Sequence, residues 1–422
     1  MHSVTNAIPT GTIASIPAKA HAHRALICAA LANSPSTILL SRTSKDIDAT
    51  MDSLRGLGAH VVYENKVVTV TPGPVPAKGN VVPHESGTTL RLLLPVAASI
   101  CNDVDVDAKG RLPDRPLEPM LSEMKAHGVT FSQDKPPFTM TGRLQGGNFS
   151  MVGDVSSQFF SGLLLAAPQI GLSTITATTP LQSSDYVTLT TETMRDFGVE
   201  VEHTLPDTNI NEAFKVPFGA SFIGRDNYQI EGDWSNAAIW MVAAGMTGKP
   251  ITITGMNKNS VQADRRIIQV MIDAGCDVVW DGMNITVTGR ASKPIHVDLE
   301  QMPDMLPVMA ALACSISGES SFIKGARLRL KESDRLIAVA NLVRDLGGTV
   351  REEGDDLYII GSGILKGGHG DCVNDHRLVM AGTLMALISE NPVTLQDSEA
   401  ITKSYPDFFE DWNLLGGDAH GI

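Results

Sequence analysis

The sequence predicts an α/β protein made of six copies of one unit, arranged as two domains of three units each. Six runs rich in Ala and Leu, each opened by a polar cluster, recur along the 422 residues, and each is followed by an amphipathic helix closing on a glycine. Those glycines (Gly58, Gly128, Gly198, Gly275, Gly347 and Gly416) stand 70, 70, 77, 72 and 69 positions apart. Self-similarity at a fixed spacing marks repeated supersecondary units. A spacing of roughly 70 exceeds the usual solenoid period of about 20 to 50, so a closed set of α/β units fits better than an open array.

The elements follow in order. The apolar runs are ALICAALA after Arg24, LLLPVAAS after Arg91, FSGLLLAAP after Phe159, AIWMVAAG after Ala237, MLPVMAALA after Asp304 and VMAGTLMAL after Leu378. They read as buried helices. The second helix of each unit, as in DIDATMDSLRGLG (46–58) or DRLIAVANLVRDLG (334–347), repeats apolar residues at three- and four-residue spacing. Its glycine sits where a left-handed C-cap belongs. The stretches that follow, such as HVVYENKVVTVTP (60–72) and CDVVWDGMNITVTG (276–289), place β-branched residues around Glu-Asn and Asp-Gly turns and predict hairpins. Each unit therefore reads as helix, strand, helix, hairpin.

A chain of this length, 43% hydrophobic, exceeds what one core supports. The passage between the two domains is expected within residues 222–236. No apolar run reaches the roughly 18 residues of a membrane span, and the first residues lack the charged-then-apolar pattern of a signal peptide, so a cytoplasmic location is expected. The five cysteines are odd in number and lie mostly inside apolar runs, predicting free core thiols. A net charge of −14 argues against nucleic acid or an anionic membrane as partner, since both require clustered Lys and Arg. The expected ligand is small.

Against that acidic background the basic residues are informative. Lys19 and Arg24 open the first unit, ESGTTLR (85–91) the second and NDHR (374–377) the sixth, while Ser156, Ser157 and Gln158 open the third. A helix start presents unpaired N–H groups and the positive end of the dipole, so Ser, Thr, Gly and Arg there form an anion site without a metal. Helices of two facing domains would aim such openings at one shared cleft, suited to a small, multiply anionic substrate.

Seven stretches, KAHAHR (19–24), SGTTLR (86–91), DRPL (114–117), SSQ (156–158), KESDRL (331–336), NDHR (374–377) and KSYPDFF (403–409), resemble in order the signatures of the 5-enolpyruvylshikimate-3-phosphate synthase family. The resemblance spans nearly the whole chain. It implies transfer of an enolpyruvyl group from phosphoenolpyruvate to the 5-hydroxyl of 3-phosphoshikimate, with release of phosphate. It also implies two inside-out α/β domains, each of three βαβαββ repeats, with the active site in the interdomain cleft. The corresponding division is residues 16–229 as one domain, and 1–15 with 230–422 as the other.

By the same resemblance Lys19 touches both substrates and Arg24 holds the carboxylate end of phosphoshikimate. Gly87 leaves room for phosphoenolpyruvate, which Arg115, Arg335, Arg377 and Lys403 clamp, and Gln158 lies between the ligands. Ala20, Ser156, Ser157, Ser183 and Lys331 fall around phosphoshikimate. Asp304 matches the base that acts on the attacking hydroxyl, and Glu332 the proton donor to the methylene carbon of phosphoenolpyruvate. Asp304 is expected to cap the fifth buried helix and to be held ionised by it. Glu332 must be protonated to donate, which bound anions are expected to favour over its neighbours Lys331 and Arg335. A charge pair at about 4 Å is worth roughly 4 kcal/mol at an effective dielectric near 20, before desolvation. Forked guanidinium groups suit carboxylate and phosphate.

Three positions depart from the family pattern: Ala20 replaces a usual serine, Arg327 an asparagine, and Glu85 an asparagine found in many members. His21 and His23 form His-x-His but lack a third ligand nearby, so no metal is expected. Neither GxGxxG nor GxxxxGK[ST] occurs, and no nucleotide or other cofactor is expected. A related enzyme that transfers enolpyruvate to UDP-N-acetylglucosamine usually carries a reactive cysteine where this chain has Gly110. The remaining alternatives are a non-catalytic anion-binding paralogue, suggested by Ala20, and an RNA-end-processing enzyme, opposed by the acidic charge. The family is commonly monomeric, and a monomer is expected.

Overall fold

In the computed structural model, which describes residues 1–208 and 211–422, the chain forms two compact units. One is Pro17–Ile230; the other joins Met1–Ile16 to Glu231–Ile422. Among the described residues each unit holds three four-stranded sheets, one for each repeat. The second repeat shows the plan. Strand Gly79–Val81 leads into helix Gly87–Ile100 and pairs parallel with Asp103–Val106; helix Met120–Ala126 follows, then the hairpin of Thr130–Phe131 with Phe138–Thr141. The order is βαβαββ. The leading strand, two to four residues long in every sheet, is the element that hydrophobic periodicity missed.

Three strands are exchanged along the chain. Tyr228–Gln229 supplies the leading strand of the first sheet by pairing parallel with Ser36–Leu39, and Gly11–Ala14 does the same for the fourth beside Ile251–Thr254. In the sixth sheet His2–Val4 inserts antiparallel between Val393–Gln396 and Ala419–Gly421. The chain therefore passes from one unit to the other after Ile16 and after Ile230 because its first 16 residues carry strands belonging to the later unit.

The apolar runs are the central helices of each unit. Every residue of Leu306–Ser315 and His376–Ala386 is buried, as is almost all of Trp234–Thr247. A helix without a solvent face has no amphipathic period, which is why these segments appear in the sequence as unbroken apolar stretches. The outer helices, such as Lys45–Gly56 and Arg335–Asp345, keep an exposed face. All six closing glycines have φ between +86° and +102°, and the residue after each returns a backbone bond to the carbonyl five positions earlier, as from Val129 to Met124 or Gly348 to Val343. This Schellman closure needs a residue without a Cβ penalty at positive φ. The hairpin turns sit one residue later than their dipeptides suggested. Glu64 pairs with Val67 around Asn65 and Lys66, both at positive φ, and Asp281 pairs with Asn284 around Gly282 and Met283.

Helices Gly87–Ile100 and Ser157–Ile170 meet backbone to backbone at Gly162, where an added Cβ would lie 2.5 Å from the carbonyl oxygen of Arg91. Neither partner is a flexible side-chain tip, so the helices themselves would have to separate. Gly162→Val should therefore lower stability by about 1 to 3 kcal/mol in chemical denaturation, the range for overpacked cores. A loss below about 1 kcal/mol would mean that the contact yields.

Candidate active site

The residues singled out by sequence fall into two sets, one in each unit. In Pro17–Ile230, Lys19 begins the first central helix, Lys19–Ala30, and its Nζ lies 2.7 Å from Asp46 Oδ2. Arg24, one turn on, is 1% exposed. Its guanidinium donates to Thr190 Oγ1 at 2.7 Å, the Ala20 carbonyl at 2.7 Å, the Tyr186 carbonyl at 3.0 Å and Ser161 Oγ at 3.3 Å. All of these acceptors are neutral. Burial lowers the Arg24 guanidinium to about 10, which leaves it charged at neutral pH. A buried cation surrounded by neutral acceptors favours an anion nearby. His21, next to Ala20, is bonded through Nε2 to Tyr228 Oη at 2.8 Å, and Tyr228 donates in turn to Asp196.

The second and third central helices carry the rest of this set. Ser86 caps Gly87–Ile100, accepting from the Thr89 amide, and Ser156 caps Ser157–Ile170, accepting from the Gln158 amide. Arg115 lies over Gly87: a Cβ there would sit 2.6 Å from Arg115 Nη1. Gln158 accepts from Arg91 Nη1 at 3.1 Å and donates to Thr88 Oγ1 at 2.8 Å, so its amide is oriented from both ends. Arg91 also donates to the Pro116 carbonyl, next to Arg115. Ser183 is buried at φ +54°, a conformation uncommon for a residue with a side chain. The Glu85 carboxylate packs over Gly110, where a Cβ would start 2.9 Å from it.

In the other unit the predicted groups converge on Arg335, which is 1% exposed. Its Nη1 donates to Asp304 at 2.6 Å and its Nη2 to Glu332 at 2.6 Å, while Nε and Nη2 grip Asp375 at 2.8 and 3.1 Å. Asp375 is fully buried, accepts from Ser333 Oγ and from the Arg377 amide, and so caps helix His376–Ala386. Lys331 Nζ reaches Asp304 at 3.0 Å. Lys403 donates to the Asn374 carbonyl at 2.7 Å, anchored by the buried Tyr405 and Phe408, whose rings pack on Trp240. In the KESDR stretch Lys331–Ser333 precede the helix, Asp334 caps it, and Arg335 turns inward.

Asp304 does not cap the fifth central helix. It lies in the 3-10 turn Pro303–Met305 ahead of Leu306–Ser315, whose N-cap position is Met305. Its ionisation has another cause. Burial pushes its carboxyl up, but Lys331, Arg335 and Arg377 outweigh burial and hold it far below the usual carboxylate range. Sequence reasoning assigned no role to Asp46, Arg91 or Asp375. The only hint for Asp375 was an Asx residue at a helix start, and nothing in the spacing ties Asp46 to Lys19.

Asp264 is a further buried carboxyl in this unit. It hydrogen-bonds to Ser235 Oγ in the first turn of Trp234–Thr247, and its Oδ1 is buried without a hydrogen-bond partner. Burial raises it to about 6, with Arg377 pulling down and Asp304 and Asp233 pushing up. The unfolded carboxyl titrates near about 3.9, so between roughly pH 4 and 6 the native state keeps a proton that the unfolded chain has lost. Stability therefore falls as pH rises through that window and stays lower above it. Asp264→Asn should lose about 2 kcal/mol less than the parent between pH 4.5 and 7.5 in urea unfolding. Equal losses would show that the carboxyl is ionised throughout.

Residues 7–412 match the family model for EPSP synthase (3-phosphoshikimate 1-carboxyvinyltransferase). The 3-phosphoshikimate 1-carboxyvinyltransferase of Clostridium kluyveri is 36% identical over 413 residues, spanning 97% of this chain and 95% of that one. That of Methanocorpusculum labreanum is 35% identical over 418 residues, 97% of each chain. Among solved structures, an EPSP synthase from Acinetobacter baumannii has the same fold, with a TM-score of 0.82 at 23% identity and 99% of both chains covered. With its family match running almost from end to end, the chain belongs to the EPSP synthase family.

Proposed function

We propose that the chain transfers the enolpyruvyl group of phosphoenolpyruvate to the 5-hydroxyl of 3-phosphoshikimate, releasing phosphate, as a cytoplasmic monomer without a cofactor. Both sets of residues serve this one reaction. The observation that carries the reading is the pair of carboxylates on Arg335, with Asp304 and Glu332 each 2.6 Å from a different guanidinium nitrogen. The reaction needs one group to accept a proton and another to give one.

Asp304 is the base. It takes the proton of the 5-hydroxyl as that oxygen bonds to the central carbon of phosphoenolpyruvate, while Glu332 gives a proton to the methylene carbon. The product of this step is a tetrahedral intermediate. Loss of a proton from the new methyl group, with breakage of the carbon–oxygen bond to phosphate, restores the double bond and releases phosphate. An anion drawn to Arg335 competes with both carboxylates for the same nitrogens, so binding loosens Glu332 from its cation and favours its protonated form. Phosphoenolpyruvate is held by Lys19, Arg115, Gln158, Arg335, Arg377 and Lys403, with Gly87 leaving it room. Phosphoshikimate is held by Lys19, Arg24, Ser156, Ser157, Gln158, Ser183, Asp304 and Lys331, beside Ala20.

Two observations weigh against the alternatives. A cysteine at position 110, as the UDP-N-acetylglucosamine enzymes use, would begin 2.9 Å from the Glu85 carboxylate on a backbone at φ +57°. A merely anion-binding paralogue has no use for the Asp304 and Glu332 pair on Arg335, which costs desolvation to maintain.

A phosphate-release assay with phosphoenolpyruvate and 3-phosphoshikimate should show turnover, and the same assay with UDP-N-acetylglucosamine as acceptor should show none. Tight binding of the first pair without turnover would instead favour the non-catalytic, anion-binding paralogue. Asp304→Ala and Glu332→Gln should each reduce turnover by about 100-fold or more while still binding both substrates, as expected for general base and acid groups. Undiminished turnover in either variant would strip that residue of its role.

A further inference from the structure

In Pro17–Ile230, four buried side chains form a single line of hydrogen bonds through three helices. His23 Nδ1 lies 2.6 Å from Thr50 Oγ1, which lies 2.7 Å from Thr89 Oγ1, and Thr89 donates to Ser86 Oγ at 2.8 Å. None of the four residues is more than 1% exposed. The line begins one turn into the helix that Lys19 opens, crosses the outer helix Lys45–Gly56 and ends on the cap of the helix that Gly87 opens. Asp46 forms a second link between the same places: its carboxylate holds Lys19 at 2.7 Å, and its carbonyl accepts from Thr89 Oγ1 at 3.3 Å.

The hydrogens along this line have a fixed direction. Thr89 has a single hydroxyl proton, shared between Ser86 Oγ, which also accepts from the Thr89 amide at 3.2 Å, and the Asp46 carbonyl, so none is left for Thr50. Thr50 must then donate to Thr89, and His23 must donate from Nδ1 to Thr50. The remaining ring nitrogen, Nε2, is left as a bare lone pair, and it is buried without a partner. Protonating it would place an unpaired donor and a charge beside Lys19 and Arg24 in the core. Burial, reinforced by those two cations, holds the imidazole well below its ordinary value and therefore neutral.

We propose that His23 and Thr50 are positioning residues for phosphoenolpyruvate, fixing the Ser86–Gly87 turn relative to Lys19 through the line His23, Thr50, Thr89, Ser86. The proposal rests on the assignment of Lys19 and Gly87 to that substrate. Neither His23 nor Thr50 is placed in contact with substrate; they act by removing freedom from groups that are. A displacement of well under 1 Å between a cation and a close-fitting backbone turn costs binding, which is what rigid interior support prevents.

Thr50→Val keeps the shape of the side chain and deletes the one hydroxyl that links both ends. It should raise KM for phosphoenolpyruvate by about tenfold with kcat changed by less than about twofold and KM for 3-phosphoshikimate unchanged, the pattern of lost ground-state positioning. Thr50→Ser, which restores the hydroxyl, should recover the parent value. Nitrogen NMR of the parent protein, with the His23 signal identified by its loss in His23→Gln, should show an Nδ1–H tautomer. If Thr50→Val does not fold, Thr89→Val breaks the next link with the same expected shift, and the tautomer measurement needs no variant of the line. A Thr50→Val protein with a lowered Tm but an unaltered KM for phosphoenolpyruvate would reduce the line to a structural feature, and an Nε2–H tautomer would overturn its direction. Lys19→Met separates the two levels. Should it leave phosphoenolpyruvate use intact, the substrate assignment itself is wrong; should it raise that KM while Thr50→Val does not, only the positioning role falls.

Discussion

The later unit is organised around a buried guanidinium that binds three carboxylates at once. Taking Arg335 out of water is tolerable only because Asp375 grips it through two nitrogens, with Asp304 and Glu332 completing its coordination. Asp375, itself fully buried, has its remaining capacity filled by Ser333 and by the amide of Arg377. The loop before helix Arg335–Asp345 and the first turn of His376–Ala386 are thus held by one polar cluster. Two carboxylates with opposite proposed duties rest on the same cation, so an incoming anion alters both together.

The earlier unit handles charge differently. Arg24 is buried among hydroxyls and carbonyls, Lys19 pairs with Asp46, and the interior link from His23 to Ser86 is neutral. With a net charge of −14 over the whole chain, such cations are not a general coating. They are few, mostly buried and gathered at the openings of central helices, where backbone N–H groups add to the same field. Charged substrates are favoured there by placement of charge, not by its amount.

Much of the fold could be read in advance because its signals are local. A glycine two positions beyond an amphipathic helix closes it through its own neighbours, and all six did so. An unbroken apolar run has to be buried wherever it lies. The leading strands could not be read in this way: Tyr228–Gln229 is two residues long, and its partner Ser36–Leu39 is nearly 190 positions away. Asp304 shows the corresponding limit for chemistry. Its position before an apolar run suggested a helix cap, yet the turn Pro303–Met305 puts it ahead of the helix, and three cations from other segments determine its charge state.

By itself the sequence determined the number of repeats, the character of each helix and the short motifs that bear charge, since these depend on neighbours a few residues apart. The residue types needed for anion binding and proton transfer were equally plain. Only the tertiary structure decided which partners those residues have: that Lys331 and Arg335 converge on Asp304, that Asp46 holds Lys19, that His23 bonds to Thr50. Such pairings join residues 27 to 31 positions apart through packing that brings separate segments together, and no spacing along the chain encodes that contact.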